Sequence, residues 1–124
     1  MNPKKKNQSY RRRPGKSLAE QADRNFLYQQ SVQCVEAEID MVDENFKKLR
    51  GRQAITLRED FCGTANTSCE WVRRRLANVA VGIDLDEKVL DWGRTHNVNK
   101  LNDSAQTRVT LLNDNVLTVD TQHM

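Results

Sequence analysis

Ala54-Ile55-Thr56-Leu57, Glu59-Asp60-Phe61-Cys62-Gly63-Thr64-Ala65-Asn66 and Val79-Ala80-Val81-Gly82-Ile83-Asp84 are the three runs that decide the fold of this chain. The first is short, apolar and β-branched, which predicts a strand. The second is a turn whose small residues are Gly63 and Ala65. Thr67-Ser68-Cys69-Glu70 then has the form of a capping box, so a helix is predicted to start there. Cys69, Val72 and Leu76 fall on one face of that helix, and Asn78 can end it. The third run is almost continuously apolar, as in a strand buried on both faces, and Asp84 ends it. Strands alternating with helices in this way predict a parallel sheet.

The same alternation continues downstream. Asp86 is placed to cap a helix carrying Val89, Trp92 and His96. Residues 97–107 read as a loop, and Val109-Thr110-Leu111-Leu112 is a third strand, followed by Asn113-Asp114-Asn115. Upstream, Ser17-Leu18-Ala19-Glu20 is another capping box, predicting a helix that fades near Ser31. A second helix follows. Val35, Ile39, Val42, Phe46 and Leu49 are spaced to share one face, acids open it, bases close it and Gly51 stops it.

The 124 residues suit one small domain, and the net charge of +3 is unevenly spread. Residues 1–16 hold seven Lys and Arg and no acid, which leaves a net −4 on the rest. This arm also lacks periodic apolar residues, so it is expected to be disordered. It supports a nucleic-acid partner only weakly, because no aromatic stacking pattern accompanies the charge. No apolar run is long enough for a membrane span, and no apolar stretch follows the basic start, so neither an anchor nor a secretory signal is expected. Cys34, Cys62 and Cys69 are odd in number and lack disulfide or zinc spacing, which fits reduced thiols in the cytoplasm and no metal.

The chemistry is expected at the carboxyl ends of the strands, where folds of this kind bind ligands. A tight turn after the first strand lets backbone approach a cofactor, but one glycine is too few for a pyrophosphate cradle, so a dinucleotide is disfavoured. Asp84 ends the second strand, 21 residues after Gly63, where a carboxylate can accept bonds from ribose hydroxyls. It could instead only cap a strand or helix, a task that Asp86 can perform. Asp114-Asn115 could meet an adenine edge or form a simple Asx turn.

Leu57-Arg58-Glu59-Asp60-Phe61-Cys62-Gly63-Thr64-Ala65, with Trp71-Val72 and Val81-Gly82-Ile83-Asp84-Leu85-Asp86, resembles a family of class I S-adenosylmethionine-dependent methyltransferases. Tyr28-Gln29-Gln30-Ser31-Val32-Gln33 upstream, and Trp92-Gly93 with His96-Asn97 downstream, look like the same family, so the likeness runs from about Ala22 to Asp120. It implies an α/β, Rossmann-like methyltransferase fold, truncated after the third parallel strand and preceded by two N-terminal helices. The implied divisions are a basic arm at 1–16, helices at 17–51, and the first half of an S-adenosylmethionine-binding domain at 52–124.

The resemblance also implies roles. Glu59 would orient the methionine part of the cofactor. Phe61, Gly63 and Ala65 stand where the commoner pattern has three glycines. Asp84 would hold the ribose, Leu85 would lie beneath the adenine, and Asp114 and Asn115 would stand at the adenine edge. No catalytic residue or methyl acceptor is implied. The chain alone is expected to bind cofactor poorly, to lack turnover, and to leave Ile83 and Leu111 short of apolar cover. A non-catalytic cofactor- or partner-binding module, from a truncated or split methyltransferase, is the alternative reading.

Overall fold

The computed structural model describes residues 17–120, so the basic arm lies outside the described residues. The chain divides into two units, residues 1–34 and 35–124. Helix α1 (Leu18–Arg50) is continuous, where the sequence reading expected two helices parting near Ser31. No glycine or proline stands between Ser31 and Val35, so nothing breaks the hydrogen-bond ladder there. Its start is as expected: the Glu20 N–H donates to Ser17 Oγ at 3.1 Å. Gly51, with φ 71°, ends it, donating its N–H to Lys47 O.

Strand β1 (Thr56–Asp60), helix α2 (Asn66–Arg74), strand β2 (Val79–Asp84) and helix α3 (Glu87–His96) follow. A short 3-10 turn (Val98–Lys100), helix α4 (Asp103–Gln106) and strand β3 (Val109–Asn113) come next. The region 97–107 is therefore partly helical, and Asn102 caps α4 by accepting from the Ala105 N–H. The three strands are parallel in the order β1-β2-β3, with Glu59 opposite Gly82 and Asp84 opposite Asn113. Glu59 and Asp60 belong to β1 rather than to the turn. Their carboxylates read as turn residues in sequence, but β1 is an edge strand among the described residues and half of it faces solvent.

One sheet face is covered by helices. Ile39 from α1, Cys69, Trp71 and Val72 from α2, and Ala80 from β2 form the main core with Ala54, Leu101 and Ala105. Burying Ile39, Val72 or Leu101 stabilises by about 1.5–3 kcal/mol each. The buried face of α1 steps from Ile39 to Asp43 and Phe46, not to Val42 and Leu49, which are exposed. Asp43 takes that place because its carboxylate accepts two bonds from Arg75, at 2.8 and 3.2 Å. Leu76, expected on the apolar face of α2, lies past the helix end and is exposed. The fully buried Trp71 donates from Nε1 to Ile55 O, and the Asn78 amide donates to Trp71 O, so the end of α2 is tied to the sheet.

The opposite face of β2 carries Val81 and Ile83, both fully buried. Ile83 thus has the cover the sequence reading denied it, and Leu111 is half-buried. Part of the reason is Arg58, in register with Val81, which reaches the Val116 carbonyl at 2.7 Å and holds the segment after β3 near β1. No helix among the described residues is long and apolar enough to cross a membrane.

Candidate cofactor site

The turn between β1 and α2 is built from three left-handed residues. Phe61 (φ 56°), Gly63 (φ 56°) and Ala65 (φ 65°) alternate with Cys62 and Thr64. A side chain in that region costs roughly 1–2 kcal/mol, so Phe61 and Ala65 are strained where Gly63 is not. The turn lies over the sheet's carboxyl edge, where the Cys62 N–H donates to Ile83 O at 3.0 Å. Ala65, expected only as a small turn residue, is fully buried and stands at the N-cap of α2 without a side-chain cap.

The cap of α2 comes instead from β1. The Ser68 N–H (3.2 Å) and hydroxyl (2.7 Å) both donate to Glu59 Oε1. The helix therefore starts at Asn66, not at the Thr67 capping box, because a carboxylate from the neighbouring strand serves its orphan N–H. Burial raises the Glu59 pKa above the ordinary glutamate value, outweighing the bonds from Ser68 and Thr67 that lower it. A raised folded pKa gives stability that is full below the unfolded value and is lost as pH rises through the raised one. Glu59→Gln should therefore become more stable relative to the wild type as pH rises from about 4 to about 7. Parallel thermal melts at the two pH values check this, and a difference that shrinks with pH would contradict it.

Gly63 and Asp84, at the ends of adjacent strands, meet directly. The Gly63 N–H donates to Asp84 Oδ2 at 2.9 Å, and Asp84 Oδ1 accepts from the Asp86 N–H at 2.9 Å. Asp86 is the N-cap of α3, accepting from the Lys88 and Val89 N–H groups, so capping falls to Asp86 as the sequence suggested. Leu85 and Phe61 are exposed beside this pair, at 68% and 72%. At the end of β3 the Asp114 N–H donates to Asp84 O, while the Asn113 amide donates to Asp84 O and Leu85 O. The side chains of Asp114 and Asn115 serve local turns, accepting from the Asn115 and Leu117 N–H groups. The backbone of Asp114 thus meets that of Asp84, while the side chains of Asp114 and Asn115 are taken up in these turns.

Sequence reasoning missed Ser68 as the partner of Glu59, and Gly93 and Asn97 as partners of the turn. Asn97 donates its amide to Thr64 O at 2.8 Å. The only signal was a glycine inside a helical pattern, which often marks close packing. Beneath the turn, burial pushes the Cys62 thiol up to about 12, with Glu59 and Asp84 adding to the effect, and burial pushes Cys69 to about 11. Neither is a reactive thiolate. A concavity lined by Asp43, Glu44, Lys47, Gln53 and Arg75 lies at the amino edge of the sheet, away from this site.

No protein-family profile and no curated protein matches the sequence. Solved structures do match the fold. The chain is similar to the plantazolicin methyltransferase BpumL in complex with SAH, with a TM-score of 0.61 and 10% identity over 84% of this chain and 37% of that one. It is also similar to the methyltransferase domain of bacterial CtHen1-C, with a TM-score of 0.54 and 19% identity over 77% of this chain and 44% of that one. A third likeness is to the glycopeptide N-methyltransferase MtfA complexed with S-adenosyl-L-methionine, with a TM-score of 0.50 and 15% identity over 64% and 33%. The chain spans less than half the length of each. The sheet and its helices therefore belong to the Rossmann-like methyltransferase fold, of which the chain holds three adjacent parallel strands.

Proposed function

We propose that this chain is the S-adenosylmethionine-binding portion of a methyltransferase. The observation that carries the reading is the Gly63–Asp84 hydrogen bond at the carboxyl ends of adjacent strands, in a fold shared with enzymes solved with SAH or S-adenosyl-L-methionine. The donor and acceptor set fits that cofactor. Glu59, Asp84 and Asp86 stand at this edge, with Asp60 paired to Arg58, so a pyrophosphate would meet carboxylates, whereas a sulfonium and ammonium cation with ribose hydroxyls meets acceptors.

Asp84 still has lone pairs for the ribose hydroxyls after its two backbone bonds. Glu59 meets Ser68 through Oε1, and a carboxylate has about four lone-pair sites in all, so it can also accept from the ammonium of the methionine part. Leu85 and Phe61 supply apolar surface for the adenine side and the turn, and the backbone at Asp114 and Asn115 borders the adenine edge. The bound cofactor supplies an electrophilic methyl group. The protein's task is to hold it in line and tune the nearby charge. Cytoplasmic residence is part of the proposal, because three cysteines without disulfide spacing suit a reducing compartment.

The test is a titration of the chain with S-adenosylhomocysteine, followed by backbone amide spectra. The expected result is saturable, weak binding with the shifts concentrated at Gly63, Leu85 and Asn115. NAD, carrying a pyrophosphate, should not compete. Absence of any saturable shift at these amides would overturn the reading.

A further inference from the structure

Helix α3 backs the cofactor turn along its whole length. A Cβ on Gly63 would stand 3.9 Å from Val89 Cγ1, so Val89 lies against that residue. Leu90 is fully buried and clusters with Cys62 and Ala65. A Cβ on Gly93 would fall 2.6 Å from Thr64 O, closer than real contacts allow, so only glycine lets the helix come this near. Asn97, at the C-cap of α3, donates its amide to that same Thr64 O at 2.8 Å. One carbonyl is thus met by a glycine that clears space for it and by an amide that holds it.

The carbonyl lies between Gly63 and Ala65, inside a run in which Phe61 and Ala65 are left-handed without being glycine. A turn of three glycines could take this shape freely, but this one cannot. Its shape must be imposed from outside, and Thr64 O is where α3 imposes it.

We propose that Asn97 and Gly93 are positioning residues for the cofactor. They hold the Cys62–Ala65 turn so that the Gly63 N–H and the Asp84 carboxylate keep the placement the ligand requires. This rests on the cofactor reading above, and concerns a grip on the turn rather than contact with the ligand.

The experiment compares the wild-type chain with Asn97→Ala, Gly93→Ala and a control, Asn102→Ala, which removes a cap from α4 outside the site. Amide spectra and hydrogen exchange are recorded without ligand, and S-adenosylhomocysteine is then titrated. In Asn97→Ala the Gly63, Thr64 and Ala65 amides should shift and exchange faster, and affinity should fall roughly tenfold. Gly93→Ala should do more; if it fails to fold, Asn97→Ala decides. Asn102→Ala should leave the turn amides and the affinity within about twofold of wild type.

Unmoved turn amides in Asn97→Ala would overturn the proposal, and so would moved amides with unchanged affinity. If the wild type itself shows no binding, the cofactor reading falls. The grip on the turn is then decided by the ligand-free amides alone.

Discussion

Replacing Asp84 by alanine is expected to weaken S-adenosylhomocysteine binding on the order of a hundredfold, from two lost hydroxyl bonds to a carboxylate worth about 1.5 kcal/mol each. The lower end of the usual range applies because Asp84 is only half-buried. The side chain also accepts from Gly63 and Asp86, so the turn should loosen and the thermal midpoint should fall as well. Asp86→Ala is the matched comparison. It removes a helix cap worth about 1 kcal/mol of stability, two residues away, and should leave affinity nearly intact once unfolding is corrected for. Titrations by amide shifts of wild type and both variants, below their melting ranges, give the result. Equal losses of affinity in the two variants would reverse the roles assigned to these carboxylates.

Gly82→Ala carries the largest expected effect on stability. A Cβ there would lie 2.8 Å from Cys62 Sγ, 3.0 Å from Cys62 Cβ and 3.0 Å from Leu111 Cδ2. Gly82 sits in the middle of the central strand and cannot shift without breaking register with Glu59 and Leu111. Overpacking of this kind costs about 1–3 kcal/mol, and each kcal/mol lowers the midpoint of a domain this size by roughly 4–8 °C. Cys62→Ala removes the nearest atom, so the double variant should lose less than the two single losses together. Melting curves of the three variants test this. A Gly82→Ala chain as stable as wild type would show that the contact is not tight.

The β-α-β-α-β order was legible because the apolar period changes at Ala54 and again at Val79, and burial follows that change. The meeting of Gly63 and Asp84 was legible from spacing alone, since a strand–helix–strand unit of that length returns the chain to the neighbouring strand. The end of β1 was less legible. Glu59 and Asp60 look like turn residues, yet they extend β1, where Glu59 accepts from Ser68 and Asp60 from Arg58. The continuity of α1 was hidden because its apolar spacing changes at Val35 without a residue that breaks a helix.

The partnerships of Glu59 with Ser68 and of Asn97 with Thr64 were not legible. They join residues nine and 33 positions apart through contacts that periodicity does not encode. The left-handed Ala65 was hidden for a related reason. Sequence reports that it is small, while the packing around it, with Leu90 and Cys62, dictates its backbone.

Strand β1 has one further consequence, for behaviour in a crowded solution. A sheet edge with free N–H and C=O groups is a template for intermolecular pairing, and proteins blunt such edges with charge. Among the described residues β1 is such an edge, and Arg58, Glu59 and Asp60 fill its last three positions, so a foreign strand approaching there would have to desolvate charged side chains as well as pair its backbone. The carboxylates assigned by proposal to the cofactor thereby also act as gatekeepers against self-association. Engineering β1 toward higher strand propensity with valine or isoleucine would trade that colloidal protection for local stability.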